Sequence, residues 1–378
     1  MIDRLIDRLK DMVQSCNINF LFGSGMSAPY LSTLWNLETL LTDLHNDNTL
    51  EEDEKELIRV SIYKKFFDDV IEKNINIIQN EEKSQKVSES YQNFFSYINQ
   101  LILHRKNSLL SKQVNIFTTN IDVYIEKALE EKGFEFNDGF SGRFGLKYDL
   151  SNFKKSVYQS SLHYENSFEI PIFNVLKLHG SLNWKIENDE TKEIIGDMSL
   201  SQISKVQKSN TDFIKVNNSD TLSNLKNKRT PTPNNQEVKN FKKAYEKLVI
   251  INPTKEKFKD TLMNQTHYDL LRIYANELEK ENTLLFVMGF SFADEHIREL
   301  TVRVANTNPT LQVIIFAYDK KAKENIEKNI IMSKVMNNNI FIESPSSKED
   351  CDYVYNFDTI NKKIFKKQIL DKIGVSDE

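Results

Sequence analysis

Cysteine is nearly absent from this chain: Cys16 and Cys351 are the two cysteines among its 378 residues. Two thiols far apart in sequence do not make the disulfide framework that small secreted domains use, and they suit a reducing compartment. They also cannot supply the four thiolates of a tetrahedral structural zinc site. We therefore expect a protein without a zinc module or another bound metal.

Long apolar runs and an excess of basic residues are missing as well. No stretch of the sequence approaches the ~20 consecutive apolar residues that a transmembrane helix requires. Residues 1–9 alternate charged and apolar side chains and lack the apolar core of a signal peptide, so we expect a cytoplasmic protein. The formal net charge is −5, which argues against direct nucleic-acid binding because neutralising phosphates requires a basic face.

Short runs that are apolar nearly throughout are the main feature that is present. Such runs predict buried strands, and helical patterns separate them. The predicted strands are 18–22, 114–118, 171–178, 248–253, 283–289 and 312–317, with one more near 340–342 before a terminal helix. Apolar strands separated by helices indicate an α/β fold with a parallel sheet covered on both faces. We expect a doubly wound, Rossmann-like core.

Three segments are expected to lie outside the strands of that core. Residues 36–112 carry Leu and aromatic residues at helical spacing and predict a helical insertion. Its apolar stripes fit either packing on the sheet or an interface. Residues 187–238 are polar and predict a long surface excursion, and the glycine-dense residues 139–145 predict a loop. We expect one domain over residues 1–330 and a C-terminal extension over 331–378.

Glycine is scarce, with 10 residues, yet two of them follow the first predicted strand directly in Gly23-Ser24-Gly25-Met26-Ser27. Small residues at a strand end let a backbone approach a pyrophosphate, with amides and a helix N-terminus facing the anion. A plain strand-to-helix turn with Ser27 as N-cap would have a similar sequence. The segment also lacks the third glycine of the G-x-G-x-x-G dinucleotide motif.

Polar side chains follow two further predicted strands. Thr118, Asn120 and Asp122 lie at the end of one of them. Covered sheets tolerate such polar groups only where they find partners. Their alternative role is a polar junction in which Asp122 caps the next helix. His179 follows an apolar strand and precedes Gly180, which makes it a candidate general base, although a lone histidine is more often structural.

Together these motifs resemble the nucleotide-binding core of the sirtuins. Gly-Ser-Gly-Met-Ser at 23–27 resembles the sirtuin phosphate loop, Thr-Asn-Ile-Asp at 119–122 resembles the Gln-Asn-Ile-Asp segment, and His179-Gly180 resembles the sirtuin His-Gly. Residues 289–297 and 252–258 are similar to segments of the bacterial SIR2-like family that acts in anti-phage defence. The resemblance spans residues 15–320, apart from the insertions, and implies a sirtuin-like core.

The resemblance implies an NAD⁺ hydrolase that cleaves the bond between nicotinamide and ribose. It implies that Asn120 orients water at the nicotinamide ribose, that Asp122 holds the carboxamide and that His179 acts as general base. The resemblance assigns NAD⁺ binding to a further set of residues: Gly23, Ser24, Gly25, Ser27, Thr118, Gly289 and Ser291. It also implies a homo-oligomer, anti-phage action by NAD⁺ depletion and a partnership with a HerA-type DNA-translocating ATPase.

Two departures from the sirtuins bear on the reaction. The four zinc cysteines are missing, and Thr119 stands where deacylating sirtuins usually carry Gln. In deacylases the zinc module helps to position an acyl-lysine, so its absence favours water as the acceptor. Protein deacylation or ADP-ribosyl transfer is the alternative activity, and a binding module that senses NAD⁺ or ADP-ribose is the alternative from a different class.

Overall fold

The computed structural model of the protein describes residues 2–33, 36–105, 109–188, 193–209, 211–228, 235–252, 261–345 and 353–374. Cys351 and the residues 253–258 of the family-like segment lie outside these ranges. Within them the chain alternates between strands and helices, as the sequence predicts.

The strands are β1 (Asn17–Phe22), β2 (Gln113–Thr118), β3 (Phe136–Asn137), β4 (Phe140–Ser141), β5 (Lys147–Tyr148), β6 (Val157–Ser160), β7 (Ser167–Ile170), β8 (Ile172–Lys177), β9 (Trp184–Ile186), β10 (Ile194–Gly196), β11 (Thr283–Met288), β12 (Gln312–Phe316) and β13 (Ile340–Glu343). The α-helices are α1 (Ile2–Ser15), α2 (Leu37–Asn46), α3 (Glu52–Phe66), α4 (Lys73–Ile78), α5 (Glu82–Leu103), α6 (Tyr124–Lys132), α7 (Ser201–Lys208), α8 (Leu222–Asn227), α9 (Asn235–Tyr245), α10 (Thr261–Leu278), α11 (Glu295–Thr307), α12 (Lys320–Ile330), α13 (Phe357–Ile360) and α14 (Asp371–Ile373). Short 3-10 turns lie at Ser24–Met26, Leu150–Asn152 and Met332–Lys334, and π-helical stretches at Phe67–Ile71 and Asn361–Leu370.

The central sheet contains seven strands among the described residues, in the order β13-β12-β11-β1-β2-β8-β3, and every neighbouring pair is parallel. The chain builds β2 and β8 on one side of β1, and then returns to build β11, β12 and β13 on the other side. The strand order therefore reverses between β1 and β11. In open sheets of this kind ligands bind outside the carboxyl ends of the strands at that point.

Alternate side chains of each strand enter two different cores, which explains why the strands are apolar on both faces. Phe20 and Phe22 of β1 are fully buried on the face that helix α5 covers, where the ring of Phe20 lies 5.0 Å from that of Phe94. Leu21 is fully buried on the opposite face with Tyr274 of α10 and Val304 of α11. The predicted doubly wound α/β fold is confirmed.

The helical insertion predicted over residues 36–112 is confirmed as helices α2 to α5, and its aromatic stripe packs into the core. Phe94, Phe95 and Ile98 of α5 are fully buried. The predicted strand near 340–342 is confirmed as β13, and the helical residues that follow pack into the same core through Phe357 and Phe365.

The prediction of a polar surface excursion over residues 187–238 is wrong for the part of it that the structure describes. Helices α7, α8 and α9 form there, and Ile203 and Val206 of α7 are fully buried. The helices pack on the insertion, where the ring of Tyr245 stacks 4.7 Å from that of Tyr63 on α3. Few apolar residues are present, but helical spacing places them on one face, which a neighbouring helix covers.

Three local predictions also require correction. Residues 248–253 do not join the central sheet over the part described; Ile250 makes a single antiparallel bridge with Gly180. The predicted loop at 139–145 contains β4, which pairs with β5 in a small antiparallel sheet. Ser27 does not begin a helix: it follows the 3-10 turn Ser24–Met26, and the next helix begins at Leu37. Short bridges and short strands depend on distant partners, which local sequence patterns do not reveal.

A ladder of asparagine side chains crosses the sheet near its amino-terminal edge. Asn19, Asn115, Asn174 and Asn137 stand in register on β1, β2, β8 and β3. Asn115 Nδ2 donates to Asn19 Oδ1 at 2.8 Å, and Asn174 Nδ2 donates to Asn115 Oδ1 at 2.9 Å. Asn137 Nδ2 donates to Asn174 Oδ1 at 3.0 Å. Asn115 and Asn174 thus each donate to one neighbour and accept from the other inside the sheet.

Among the described helices, none is long and apolar enough to span a bilayer. The described residues also include no group of three or more His, Cys, Asp or Glu side chains with an arrangement that could hold a metal ion. Cys16 is partly buried, and burial raises the pKa of its thiol.

Candidate active site

Glycines bring the turn after β1 against the turn after β11, on the two sides of the point where the strand order reverses. Gly23 N donates to Met288 O and Gly25 N donates to Gly289 O, both at 3.0 Å. A Cβ on Gly23 would lie 2.4 Å from Gly289 O, and a Cβ on Gly289 would lie 2.6 Å from Met26 N. Gly289 also has a φ of +64°, which favours glycine. The glycines therefore permit two backbones to touch.

Ser27 is the centre of a buried polar network beside this turn. Its Oγ donates to Asp122 Oδ2 at 2.7 Å and accepts from Asn120 Nδ2 at 3.3 Å. Its remaining lone pair faces Tyr91 Oη at 3.1 Å, so Tyr91 acts as the donor. A hydroxyl group has one proton and two lone pairs, and these three partners use all of them. The bonding of Ser27 therefore fixes the side chains around it.

Asn120 and Asp122 are both nearly buried, with 6% and 3% of their surface exposed. Asn120 Nδ2 also donates to Gly23 O at 3.0 Å, which links the ends of β2 and β1. Thr118 Oγ1 donates to Phe22 O at 3.2 Å and accepts from Asn120 N at 3.0 Å. Asp122 Oδ1 accepts from Tyr124 N at 3.2 Å at the start of α6. Asp122 therefore bonds both to the backbone at the start of α6 and to the network around Ser27.

Tyr91 was not identified from the sequence as a site residue. It lies on α5, in the helical insertion, and is fully buried. Burial and then the charge of Asp122 raise the pKa of its phenol well above the ordinary value, so the hydroxyl keeps its proton. Its position in an apolar helical stripe gave no sign of a polar role. The insertion therefore supplies part of the layer behind Ser27 and Asp122.

A buried lysine fixes the backbone of the same segment. Lys177, the last residue of β8, is 2% exposed, and its Nζ donates to Asp122 O. The same Nζ lies 3.2 Å from Glu126 Oε2 on α6. Burial raises the pKa of Glu126, and the neighbouring ammonium group opposes that rise. Lys177 thus joins the strand that precedes His179 to the segment that contains Asn120 and Asp122.

His179 lies just beyond β8, as the sequence predicts, and faces a carboxylate that the sequence analysis did not assign. Its Nε2 lies 3.1 Å from Asp294 Oδ2, with the two side chains 13% and 9% exposed. Leu178 N donates to Thr118 O at 2.8 Å, so His179 follows directly on the strand end that precedes Asn120. The backbone thus links the histidine to the network around Ser27.

A second histidine, His267 on α10, stands beside His179 with ring centroids 5.9 Å apart. It is 2% exposed, and its Nδ1 lies 2.6 Å from Leu178 O. Burial lowers its pKa to about 4, so the ring is neutral near pH 7. A carbonyl can only accept, so Nδ1 carries the proton. The role of His267 was not predicted from the sequence, because only the tertiary fold brings α10 to the end of β8.

Ser291 stands apart from the buried network. Its side chain is exposed, and its carbonyl accepts from Asn329 Nδ2 at 3.0 Å on α12. The described contacts therefore bring together Gly23, Gly25, Ser27, Thr118, Asn120, Asp122 and Gly289, whereas His179 pairs with Asp294. Ser24 is partly exposed on the 3-10 turn that follows Gly23.

The segment that contains β11, Asp294 and β12 can be compared with known families. Residues 240–340 match the family model of a SIR2-like domain. The match makes this part of the chain similar to a SIR2-like domain and is consistent with an NAD-dependent enzyme, since SIR2-like proteins use NAD⁺ as a substrate. It includes His267, Gly289, Ser291 and Asp294, but not Asn120 or His179. A comparison with curated proteins gives no match.

Proposed function

We propose that the protein is an NAD⁺ hydrolase that cleaves the bond between nicotinamide and ribose. The observation that supports the proposal is that Asn120, Asp122 and His179 follow the carboxyl ends of the neighbouring strands β2 and β8, in a chain with a SIR2-like segment. Ligands bind at this edge in doubly wound sheets. A histidine beside a carboxylate is the usual arrangement of a general base.

The chemistry that we propose balances as a hydrolysis. The bond between ribose C1 and the nicotinamide nitrogen breaks, and its electron pair neutralises the positive ring. A water oxygen forms the new bond to C1, and His179 accepts the proton that the water or a ribose hydroxyl loses. The products are nicotinamide, ADP-ribose and a proton. The transition state resembles an oxocarbenium ion, so orientation of the water is a large part of catalysis.

The contacts within the protein narrow the roles that we propose for Asn120 and Asp122. Asn120 Nδ2 is bonded to Gly23 O and to Ser27 Oγ, so its Oδ1 is the atom suited to orient a water or a ribose hydroxyl. Each oxygen of Asp122 accepts one hydrogen bond from the protein. A carboxylate oxygen has a second lone pair, so Asp122 retains the capacity to accept from the N–H of a carboxamide.

We propose that the dinucleotide lies over the turns after β1 and β11. Ser24 and Gly25 are partly exposed and would contact the diphosphate, whereas Gly23, Ser27 and Thr118 are buried and shape the turn beneath it. Gly289 and Ser291 would contact the adenosine half. The backbone N–H groups of Gly23, Gly25, Met26 and Ser27 donate to backbone carbonyls, so we assign the diphosphate contact to the exposed side of the turn and the Ser24 hydroxyl.

Release of nicotinamide from NAD⁺, measured by chromatography, tests the proposal directly. We expect Asn120→Ala and His179→Ala to lose activity, the latter by ~10²- to 10⁴-fold as is usual for a general base. The matched controls are Asn240→Ala and His104→Ala, which change exposed residues of the same types. Full activity in either site variant would overturn the assignment. An acetyl-lysine peptide included with NAD⁺ and followed by mass spectrometry separates hydrolysis from the alternative of deacylation.

We further infer from the family resemblance that this activity depletes NAD⁺ in anti-phage defence, in the cytoplasm, as a homo-oligomer that works with a HerA-type ATPase. The hairpin of β6 and β7 supports an assembly because it exposes large apolar side chains, with Tyr158 at 63% and Phe168 at 53%. Light scattering of the protein alone and with the ATPase tests the assembly. Cellular NAD⁺ measured after phage infection tests the defence role, and an unchanged level would contradict it.

A further inference from the structure

The side chain of Asp294 performs two tasks with its two oxygens. Oδ1 caps helix α11 by accepting from His296 N at 3.0 Å and from Ile297 N at 3.3 Å. Oδ2 lies 3.1 Å from His179 Nε2. The cap is a common use of aspartate at a helix N-terminus, and it does not require the second contact. The contact with His179 therefore needs its own explanation.

The contact joins segments that follow two strands far apart in the sheet. Asp294 lies beyond β11 and His179 lies beyond β8, and β1 and β2 stand between them. Strands are spaced by about 4.8 Å, so the strand ends are roughly 14 Å apart. Between β11 and Asp294, Gly289 and Phe292 both have positive φ values, of +64° and +58°. Phe292 is fully buried, so packing holds a backbone conformation that is unusual for phenylalanine.

The chemistry of the pair defines what Asp294 does to the imidazole. Nε2 and the carboxylate oxygen lie at an ion-pair distance of 3.1 Å, so the contact favours the charged form of the ring. When His179 gains a proton, the carboxylate stabilises the imidazolium. Among the described residues, His267 from α10 is neutral, and Asp294 places a charge in direct contact with the ring.

We infer that Asp294 is a positioning residue for His179: its carboxylate lies beside Nε2 and stabilises the protonated ring. The inference rests on the proposed function, in which His179 accepts a proton. It goes beyond that function because it names the charged partner of the proposed base. Asp294 acts through His179 and has no assigned contact with substrate.

The variant Asp294→Asn removes the negative charge of the side chain and nearly keeps its shape. Asparagine is as good an N-cap as aspartate, so helix α11 keeps its cap and the fold is preserved. The matched control is Asp319→Asn, which makes the same change at the N-cap of α12, where Asp319 accepts from Ala322 N at 2.7 Å. Both variants should unfold at nearly the same temperature as the wild type, and the control should keep wild-type kcat.

In Asp294→Asn we expect kcat for nicotinamide release to fall by at least ~10-fold with little change in KM, which is less than the loss expected for the base itself. The acidic limb of the pH profile should move to lower pH, because the imidazolium has lost its carboxylate partner. The titratable groups around this ring are Asp294 and His296 at α11 and His267 on α10. A purely structural role of Asp294 would change stability without moving that limb.

A titration of the histidine ring signals by NMR tests the pairing without requiring activity. The chain has six histidines, and the His179→Ala variant assigns the signal of interest. The inference predicts that the His179 midpoint falls to lower pH in Asp294→Asn and stays in place in Asp319→Asn. An unchanged midpoint, or wild-type kcat in Asp294→Asn, overturns the inference. Absence of NAD⁺ cleavage by the wild type, with a shifted midpoint, instead overturns the proposed function and leaves the pairing supported.

Discussion

The two edges of the central sheet both contain buried polar residues, but they use them differently. At the amino-terminal edge, Asn19, Asn115 and Asn174 stand in register on neighbouring strands and bond to one another. At the carboxyl-terminal edge the polar groups come from the segments after the strands, and they include a histidine and two carboxylates. The first edge has amides that stabilise the sheet, whereas the second has groups that can exchange protons. The difference points to the carboxyl edge as the site of chemistry.

A cavity at the amino-terminal edge does not alter this conclusion. Its volume is about 240 Å³, and Asn115, Lys154 and Glu277 line it. Lys154 Nζ lies 2.6 Å from Glu277 Oε1, and Asn115 Nδ2 donates to Glu277 Oε2 at 3.2 Å. Burial raises the pKa of Glu277, but Lys154 and Lys280 together outweigh burial and lower it. The charged groups here satisfy one another, so we place the functional site at the opposite edge.

The largest expected effect concerns the close approach of the turns at the carboxyl edge. Gly289→Ala should lower the free energy of unfolding by more than about 3 kcal/mol and abolish activity, since its Cβ would meet Met26 N at 2.6 Å. Gly133→Ala is the matched control: its φ is +66°, but nothing lies within 4 Å of the new Cβ. The control should cost about 1 kcal/mol. The two free energies of unfolding are measured by urea denaturation. Equal losses in the two variants would contradict the steric argument.

His267 should make the free energy of unfolding depend on pH, with an effect of a size comparable to that of Gly289→Ala. Its folded-state pKa is about 4, below the ordinary value of 6.5, because burial disfavours the charged ring. The unfolded chain therefore binds the proton first, and the free energy of unfolding falls as pH decreases from about 6.5 to about 4. The contribution of this residue is roughly 3 kcal/mol at most. Urea unfolding across this range measures it, and the slope should decrease in His267→Gln. A slope unchanged by that substitution would remove His267 as its source.

The asparagine ladder should affect stability and leave chemistry alone. Asn115→Ala removes the bonds to Asn19, Asn174 and Glu277, so we expect a loss of about 2 kcal/mol in the free energy of unfolding. We expect kcat for nicotinamide release to stay within about twofold of the wild type, because the ladder lies at the far edge of the sheet. Asn120→Ala should instead abolish nicotinamide release. A large drop in kcat for Asn115→Ala would break the contrast between the edges.

The smallest effect is expected from the hydroxyl of Tyr91. Tyr91→Phe removes one donor to Ser27 and should lower the free energy of unfolding by about 1 kcal/mol. It should also lower kcat severalfold, because Ser27 loses one of the three partners that fix it. Tyr274→Phe removes a buried hydroxyl bond to Thr301 on the opposite face of the sheet and should change stability alone. Equal kcat values in the two variants would place Tyr91 outside the site.

Local patterns were sufficient to predict six of the seven strands of the central sheet and the order of the motifs. The apolar run before Gly23 and the run before His179 are strands because nearly continuous apolar residues require burial on both faces. The partners of those motifs were not predictable from one sequence. Tyr91 is 64 residues from Ser27, and the carboxylate of Asp294 reaches His179 from a strand three places away. No local pattern encodes such distances.

The sequence by itself determined the parallel α/β sheet, the helical insertion and the polar residues at the ends of β1, β2 and β8, because these follow from local spacing and burial. Tertiary structure decided what those residues contact. It gave Ser27 three partners, placed Asp294 and His267 beside His179, and buried helices α7 to α9 that the sequence left at the surface. The physical reason is that hydrogen bonding and burial depend on which distant groups the fold brings within a few ångströms.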